Sequence, residues 1–457
     1  MAFIERKNSP GVRSRRSFLG TSFAASLGGA LLRRNVSEGM EIEELPPGVV
    51  PSNPRELLYP TPEPNSKIFS KESGSFAASY PLLQNVSETS ASISWALNTP
   101  STGWVEWGRT PALGKIARHS EFGLNPYEEN FLSAQIFGLE ANTEYFYRTA
   151  TCSFSYQTAY QKTISEPQYS EIFSFKTMGA NRDHGSFAVM NDTHNQIEIV
   201  RAHCKRHNEL NPDVVVWNGD LCHRYFFPLI AKTAIANPCD EPFAARRPLL
   251  FVPGNHDKRG PYAHVLKECL TPWRQPDPNF RTLGYNAAFR NGPIAMITLD
   301  TGETGPDSEE ESGIYDFEPY RALQTAWLEK TLSRPDIASA PYIVVFCHVP
   351  IFNTNGKKDT PPTPPLKWRA YSKLCAPFWG PVFEKHCITL LVAAHIHRFT
   401  YFEATPERPW PQITGGGPLP ANAACIHAEA DNERLTVTAE RLEDGSVLGS
   451  WSYRPRF

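Results

Sequence analysis

Phe251-Val252-Pro253-Gly254-Asn255-His256-Asp257 is the stretch from which the rest of the chain can be read. A short apolar run ends in a glycine, and three side chains able to hold a cation or move a proton follow at once. A buried strand has no use for an ionisable tip unless something at that tip needs it. The same layout, an apolar run closed by His or Asp, recurs at 187–194, 214–220, 342–348 and 388–397. Ligand sites in open α/β sheets gather at the carboxyl ends of strands, so five such tips predict one shared crevice.

Outward from that stretch, strands and helices alternate from residue 185 onward, which predicts an α/β fold. Strands are expected at 186–192, 214–217, 249–252, 343–346 and 389–392, with helices at 195–210 and 318–332. The tail, 425–453, alternates strongly enough for a closing β-hairpin. Two long stretches carry no period, the acidic 302–313 and the Pro- and Lys-rich 353–368. Loops of that length in a compact domain are more often functional than idle. Residues 75–180 have another texture: short runs such as Ala91–Trp95, Gly103–Trp107 and Tyr145–Arg148 between Gly, Pro and Asn turns. They predict an antiparallel sandwich with Trp95 in its core. Tyr145, closing Leu139-Glu140-Ala141-Asn142-Thr143-Glu144, is placed to turn back and bond upstream backbone.

Residues 33–74 are Glu-, Pro- and Ser-rich and read as a linker. Arg13-Ser14-Arg15-Arg16-Ser17-Phe18-Leu19-Gly20 opens a mildly apolar run ending near residue 32. That is similar to a twin-arginine export signal, and it implies a bacterial protein in the periplasm or outside the cell. The run is too short and too rich in Gly, Ser and Ala to span a membrane, so no span is expected after signal removal.

Bulk properties narrow the functional classes. At 457 residues the chain exceeds one ordinary core. A formal charge of −3 over that length gives no electrostatic footprint for nucleic acid, which is not expected as a partner. Nine cysteines without a CxxC pair exclude a zinc ribbon or a thioredoxin motif. No G-x-G-x-x-G or Walker pattern calls for a nucleotide cofactor.

The tips themselves carry the chemistry. In Asp192-Thr193-His194 and in His395-Ile396-His397 the donors stand two apart, on one face of an extended segment. Gly219 permits a sharp turn before Asp220, whose two carboxylate oxygens can bridge two cations. Asn255 offers a neutral amide oxygen and His348 an imidazole. These seven candidate ligands carry only two negative charges, from Asp192 and Asp220. Two divalent or trivalent ions would therefore stay net positive, suited to a phosphate dianion. Ions roughly 3.5–4 Å apart can activate water and clamp phosphoryl oxygens. Nitrogen and oxygen donors without thiolate fit iron, manganese or zinc. His119, His184, His203, His207, His264, His386 and His427 have no such placement and read as structural or surface residues. Cys347, beside a candidate ligand on a strand, should point into the core, and Gly415-Gly416-Gly417 reads as a turn at the site rim.

Asp192-x-His194, Gly219-Asp220, Gly254-Asn255-His256-Asp257, His348 and His395-x-His397 resemble, as an ordered set, the five motifs of the calcineurin-like metallophosphoesterases. The resemblance covers about residues 186–399. The preceding segment resembles a fibronectin type III module like that at the N-terminus of purple acid phosphatases. Gln324-x-x-Trp327-Leu328 is similar to a helix of that branch. The fold implied is a two-sheet αββα sandwich over 185–457 behind an all-β fibronectin type III-like domain at 75–180. The function implied is hydrolysis of a small-molecule phosphate ester, as a phosphomonoesterase, by in-line attack of a metal-activated hydroxide. A phosphodiesterase or nucleotidase on the same site is the alternative, and a non-catalytic surface protein a third reading. One metal would be held by Asp192, His194, Asp220 and His397, the other by Asp220, Asn255, His348 and His395. His256 would protonate the leaving oxygen or stabilise transition-state charge, with Asp257 orienting it. Asn255, His256 and His223 would border the substrate. Purple acid phosphatases lack the histidine at position 194 and carry tyrosine where His223 stands, so a colourless or weakly coloured protein is expected. Ala394 replaces the glycine usual before His-x-His, a strained position if its φ is positive.

Overall fold

The computed structural model describes residues 74–225, 227–238, 241–305, 307, 314–352 and 372–457. The export-signal segment 1–32, the linker up to residue 73, most of loop 302–313 and all of 353–368 lie outside the described residues. Residues 82–176 form strands only: β1 (Leu82–Gln84), β2 (Ser90–Ala96), β3 (Ser101–Gly108), β4 (Lys115–Ala117), β5 (Phe131–Phe137), β6 (Glu144–Tyr156), β7 (Lys162–Ile164), β8 (Gln168–Tyr169) and β9 (Phe173–Lys176). Helices then interleave: β10 (Gly185–Met190), α1 (Ile197–Leu210), β11 (Val214–Asn218), α2 (Pro228–Ala231), β12 (Leu249–Val252), α3 (Leu266–Cys269), β13 (Ala288–Asn291) and β14 (Ile294–Leu299). After them come α4 (Phe317–Leu332), α5 (Pro335–Ala338), β15 (Tyr342–Cys347), α6 (Ser372–Lys385), β16 (Leu390–Ala393), β17 (Thr400–Phe402), β18 (Gln412–Thr414), β19 (Ala424–Ala430), β20 (Leu435–Arg441) and β21 (Val447–Tyr453).

Two sheets face each other. A nine-stranded sheet runs β21-β20-β19-β10-β11-β12-β1-β2-β5, and a six-stranded sheet runs β13-β14-β15-β16-β18-β17. Period-two alternation sorts each strand's side chains between two cores. Phe187, Val189, Val214, Val216 and Leu250 meet Met296, Val344, Phe346 and Leu390 between the sheets, with the rings of Phe187 and Phe346 edge to face at 5.2 Å. The opposite faces are covered by helices. Val215, Trp217 and Phe251 pack with Val200 of α1, and Ala295, Val345 and Cys347 pack with Trp327, Leu328, Trp379 and Phe383 of α4 and α6. This is the αββα sandwich. Strands buried on both faces explain the near-continuous apolar runs Val214–Trp217 and Tyr342–Phe346.

One sheet crosses the change of texture near residue 180. β1 pairs in parallel with β12 at Gln84 and Leu249, and β2 and β5 extend the same sheet outward. A separate sheet, β4-β3-β6-β7, packs across it. Trp95 is 1% exposed and donates to Thr151 Oγ1 at 2.9 Å, and Tyr145 Oη accepts from the Glu140 N–H at 3.0 Å. The tail corrects the hairpin expected from sequence: β19, β20 and β21 form a three-stranded meander, with β19 antiparallel to β10. Two Asp-led turns divide it, for Asp431 Oδ1 accepts from the N–H groups of Glu433 and Arg434, and Asp444 Oδ1 accepts from Ser446.

Candidate metal centre

The loops leaving the strands stay zipped beyond the sheet. Asp192 N–H donates to Gly219 O, and His194 N–H to Asp220 O, each at 3.0 Å, while Ala394 N–H donates to His348 O at 2.8 Å. This ladder brings the five motifs together. It is built from backbone in the left-handed region: Asp192 (φ 49°), His194 (45°), Asp220 (53°), His395 (72°) and His397 (53°). Non-glycine residues held there cost roughly 1–3 kcal/mol each and cluster at functional sites. Ala394, the position suspected of strain, is not among them; the strain sits on the candidate ligands. Gly219 (φ 82°) and Gly254 are required by close approach. A Cβ on Gly219 would lie 2.3 Å from His348 Nδ1, and one on Gly254 would lie 2.3 Å from Asp220 Oδ1.

Both carboxylates are fully buried, and each has one oxygen fixed and one bare. Asp192 Oδ2 accepts from His395 N–H (2.8 Å) and Asn191 Nδ2 (2.7 Å); Asp220 Oδ1 accepts from His256 N–H (2.8 Å). Asp192 Oδ1, Asp220 Oδ2, Asn255 Oδ1 and His348 Nε2 are buried with no hydrogen-bond partner among the described residues. His348 Nδ1 donates to Asn218 O at 2.9 Å, which turns Nε2 inward toward the carboxylates. That nitrogen lies 3.2 Å from Asp220 Oδ2 and 3.8 Å from Asp192 Oδ1. His194 Nε2 and His397 Nε2 are 3.0 Å apart, and they stand 3.5 Å from Asp220 Oδ2 and 3.4 Å from Asp192 Oδ1 respectively. One donor atom each from Asp192, His194, Asp220 and His397 falls within 4.8 Å of the others, and so does one each from Asp220, His348 and His395. Asp220 belongs to both groups. Native proteins rarely leave four buried polar atoms unbonded in one place, and this donor set suits two adjacent cations.

Electrostatics point the same way. Burial disfavours a charged His348, yet the carboxylates of Asp220 and Asp192 overcome it and raise its pKa to about 10. Burial would likewise lift Asp220, but the facing imidazole of His348 holds it well below the ordinary carboxylate range. The pocket demands positive charge. Burial lowers His194 to about 4 against the pull of both carboxylates, and burial together with His348 lowers His395 to about 3. Both are therefore neutral ligands near pH 7.

One assignment is corrected. Asp257 does not touch the His256 ring. Its carboxylate accepts from the N–H groups of Gly254 (2.8 Å), Asp220 (2.9 Å) and Leu221 (3.2 Å) and from Tyr225 Oη (3.1 Å), so it clamps two motif loops to each other. His256 is oriented instead by its own Nδ1–H, which donates to His223 O at 2.8 Å. His256 Nε2 faces Arg259 Nη1 at 3.2 Å, and Arg259 is braced by Glu303 at 2.6 and 2.9 Å. The exposed His223 ring stacks on His256 at 4.9 Å and brings its Nδ1 to 3.4 Å from His194 Nδ1. Asn191, Tyr225 and Arg259 escaped the reading of the sequence. Asn191 alone left a trace there, as a polar residue directly before Asp192. Gly416 does border the centre, its carbonyl accepting from Asn191 Nδ2 at 2.8 Å.

Facing sheets with seven donors at their strand ends define an αββα protein built around a candidate two-cation centre. The profile of the calcineurin-like phosphoesterase family matches residues 185–399. The chain is 25% identical over 265 residues to purple acid phosphatase 22 of Arabidopsis thaliana, across 55% of this chain and 52% of that one. It spans about half the length of the curated relatives it matches. Its fold is similar to that of a purple acid phosphatase isolated from yellow lupin (Lupinus luteus) seeds, with TM-score 0.58 and 13% identity over 82% of this chain and 74% of that one. It is also similar to the structure of PhoD, with TM-score 0.59 and 12% identity over 84% and 92%. The family match over residues 185–399 and the relatives support the calcineurin-like metallophosphoesterase superfamily.

Proposed function

We propose that this protein is a dinuclear metal-dependent hydrolase of phosphate esters, and within that class a phosphomonoesterase. The observation that carries the reading is the pair of buried carboxylates, Asp192 and Asp220, each with one oxygen tied to backbone N–H and the other bare among imidazoles. Asp192, His194, Asp220 and His397 would hold one ion, and Asp220, Asn255, His348 and His395 the other. Bound iron, manganese or zinc would supply Lewis acidity and an ionised water. The protein's own share is orientation and charge. His256, with Nδ1–H held by a carbonyl, turns Nε2 toward Arg259 while its ring stays 4.7 Å from that of His194. Because that nitrogen faces Arg259, His256 delivers a proton only as the imidazolium; as a neutral ring it shares with Arg259 the task of lining the leaving oxygen. His223, stacked on His256, forms the substrate rim.

The same reading assigns residues 1–32 to twin-arginine export and residues 75–180 to a fibronectin-like packing module, the latter supported by the bond from Glu140 N–H to Tyr145 Oη. The functional test offers the metal-loaded protein a monoester and a diester of one chromophoric alcohol. Faster release from the monoester is expected. Faster release from the diester would overturn the monoesterase assignment, and inactivity on both with two ions bound would overturn the hydrolase assignment.

A further inference from the structure

Beneath the strand that leads into Asp192 lies a second set of donors, separate from the centre above. His203 and His207 stand one turn apart on α1, at i and i+4, and are 1% and 3% exposed. Their ring centroids are 5.6 Å apart. Cys425, 0% exposed, comes from β19. A ring nitrogen of each histidine and the Cys425 sulfur all fall within 4.8 Å of one another. The neighbours Ile426, Ala428 and Ala430 pack in the core between the sheets, so strand alternation turns Cys425 to the opposite, helix-covered face.

A helix-to-sheet seam is ordinarily apolar, and this one leaves polar atoms stranded. His203 Nδ1 and His207 Nε2 are buried with no hydrogen-bond partner among the described residues, a costly arrangement unless something accepts their lone pairs. Burial lowers the pKa of His203 to about 3 and that of His207 well below its ordinary value, so both rings are neutral and able to donate electron pairs. Glu440 lies directly opposite Cys425 in the β19–β20 register. It is engaged by Arg206 at 2.8 and 3.0 Å and by His427 at 3.2 Å, which leaves its charge beside the cluster without making it a ligand.

We propose that His203, His207 and Cys425 form a structural site for one zinc-type cation that clamps α1 to β19. Two imidazoles and a thiolate match a borderline-soft ion, which takes nitrogen and sulfur donors in a tetrahedron, the fourth position going to a water. Binding releases the Cys425 thiol proton to solvent. The clamp would brace the Asp192-x-His194 segment from both sides. α1 begins three residues after His194, and β19 pairs with β10 through Val189–Ile426 and Ala188–His427.

The test is cobalt(II) substitution of the full-length protein, because the two-cation centre contains no thiolate. Wild type should take up three ions per chain and show a near-ultraviolet thiolate-to-cobalt absorption. Cys425→Ala should lose that absorption and bind one ion fewer, whereas Asp220→Asn should keep it. Absence of the absorption in wild type, or its persistence in Cys425→Ala, would overturn the site. If Cys425→Ala does not fold, zinc X-ray absorption on wild type decides: a sulfur neighbour at about 2.3 Å is expected, and a shell of nitrogen and oxygen alone would contradict the assignment.

Discussion

The two facing sheets furnish the candidate centre unequally. Strands β10, β11 and β12 of the nine-stranded sheet lead to Asp192, His194, Asp220 and Asn255, and so to both carboxylates. Strands β15 and β16 of the six-stranded sheet lead to His348, His395 and His397, imidazoles only. One half supplies the negative charge that would attract cations; the other would complete their coordination with neutral imidazoles. The acidic half is also the more heavily braced, with Asp257 tying the Asp220 loop to Gly254 through four hydrogen bonds that its carboxylate accepts. A cation pair assembled between these halves should depend on the acidic half for its existence and on the imidazole half for its stoichiometry.

Substitutions can break that comparison in order of expected severity. Asp220→Asn, which removes the residue common to both donor groups, should empty the two-cation centre and abolish hydrolysis together; native mass spectrometry showing no fewer ions per chain than wild type would contradict its bridging role. His348→Ala, in the imidazole half, should leave one ion in the two-cation centre and lower kcat by roughly 10³-fold, the upper range for one group stabilising transition-state charge. His256→Ala should lower kcat by about 10²-fold, as loss of a proton-transfer group does, with metal content unchanged. Asp257→Asn should cost about 10- to 100-fold in metal affinity, as loss of an outer-sphere partner does. That outcome separates a loop clamp from an orienter of His256, which would lower kcat and leave affinity intact. His223→Ala should raise KM a fewfold and leave kcat unchanged, since His256 is held by the His223 backbone and not by its ring.

What was legible in the sequence is what local chemistry dictates. Apolar runs announced the strands and their polar tips announced the donors. The two-apart pairs do not share one face of an extended segment, however: Asp192, His194, His395 and His397 lie beyond the strand ends in left-handed backbone, and His395 and His397 fall in different donor groups. The partners of Asp257 were not legible. Its four donors come from Gly254, Asp220, Leu221 and Tyr225, and only the folded loops bring these together. Adjacency to His256 suggested an orienting role that the three-dimensional path of the chain removes. Arg259 was hidden for a related reason: a surface-type residue in sequence, it reaches His256 because a short 3₁₀ turn at His256–Lys258 folds it back. Nor does residue type reveal that the strained φ falls on His395 and His397 and not on Ala394. His203 and His207 read as ordinary helix residues because Cys425, which faces them, lies far along the chain.

Electron paramagnetic resonance of the manganese-loaded protein, wild type beside Asp220→Asn, tests the two-cation centre most directly. Two manganese ions sharing Asp220 should give an exchange-coupled signal in wild type that disappears in Asp220→Asn. Isolated, uncoupled manganese in wild type, or coupling that survives in Asp220→Asn, would contradict a centre built on that carboxylate.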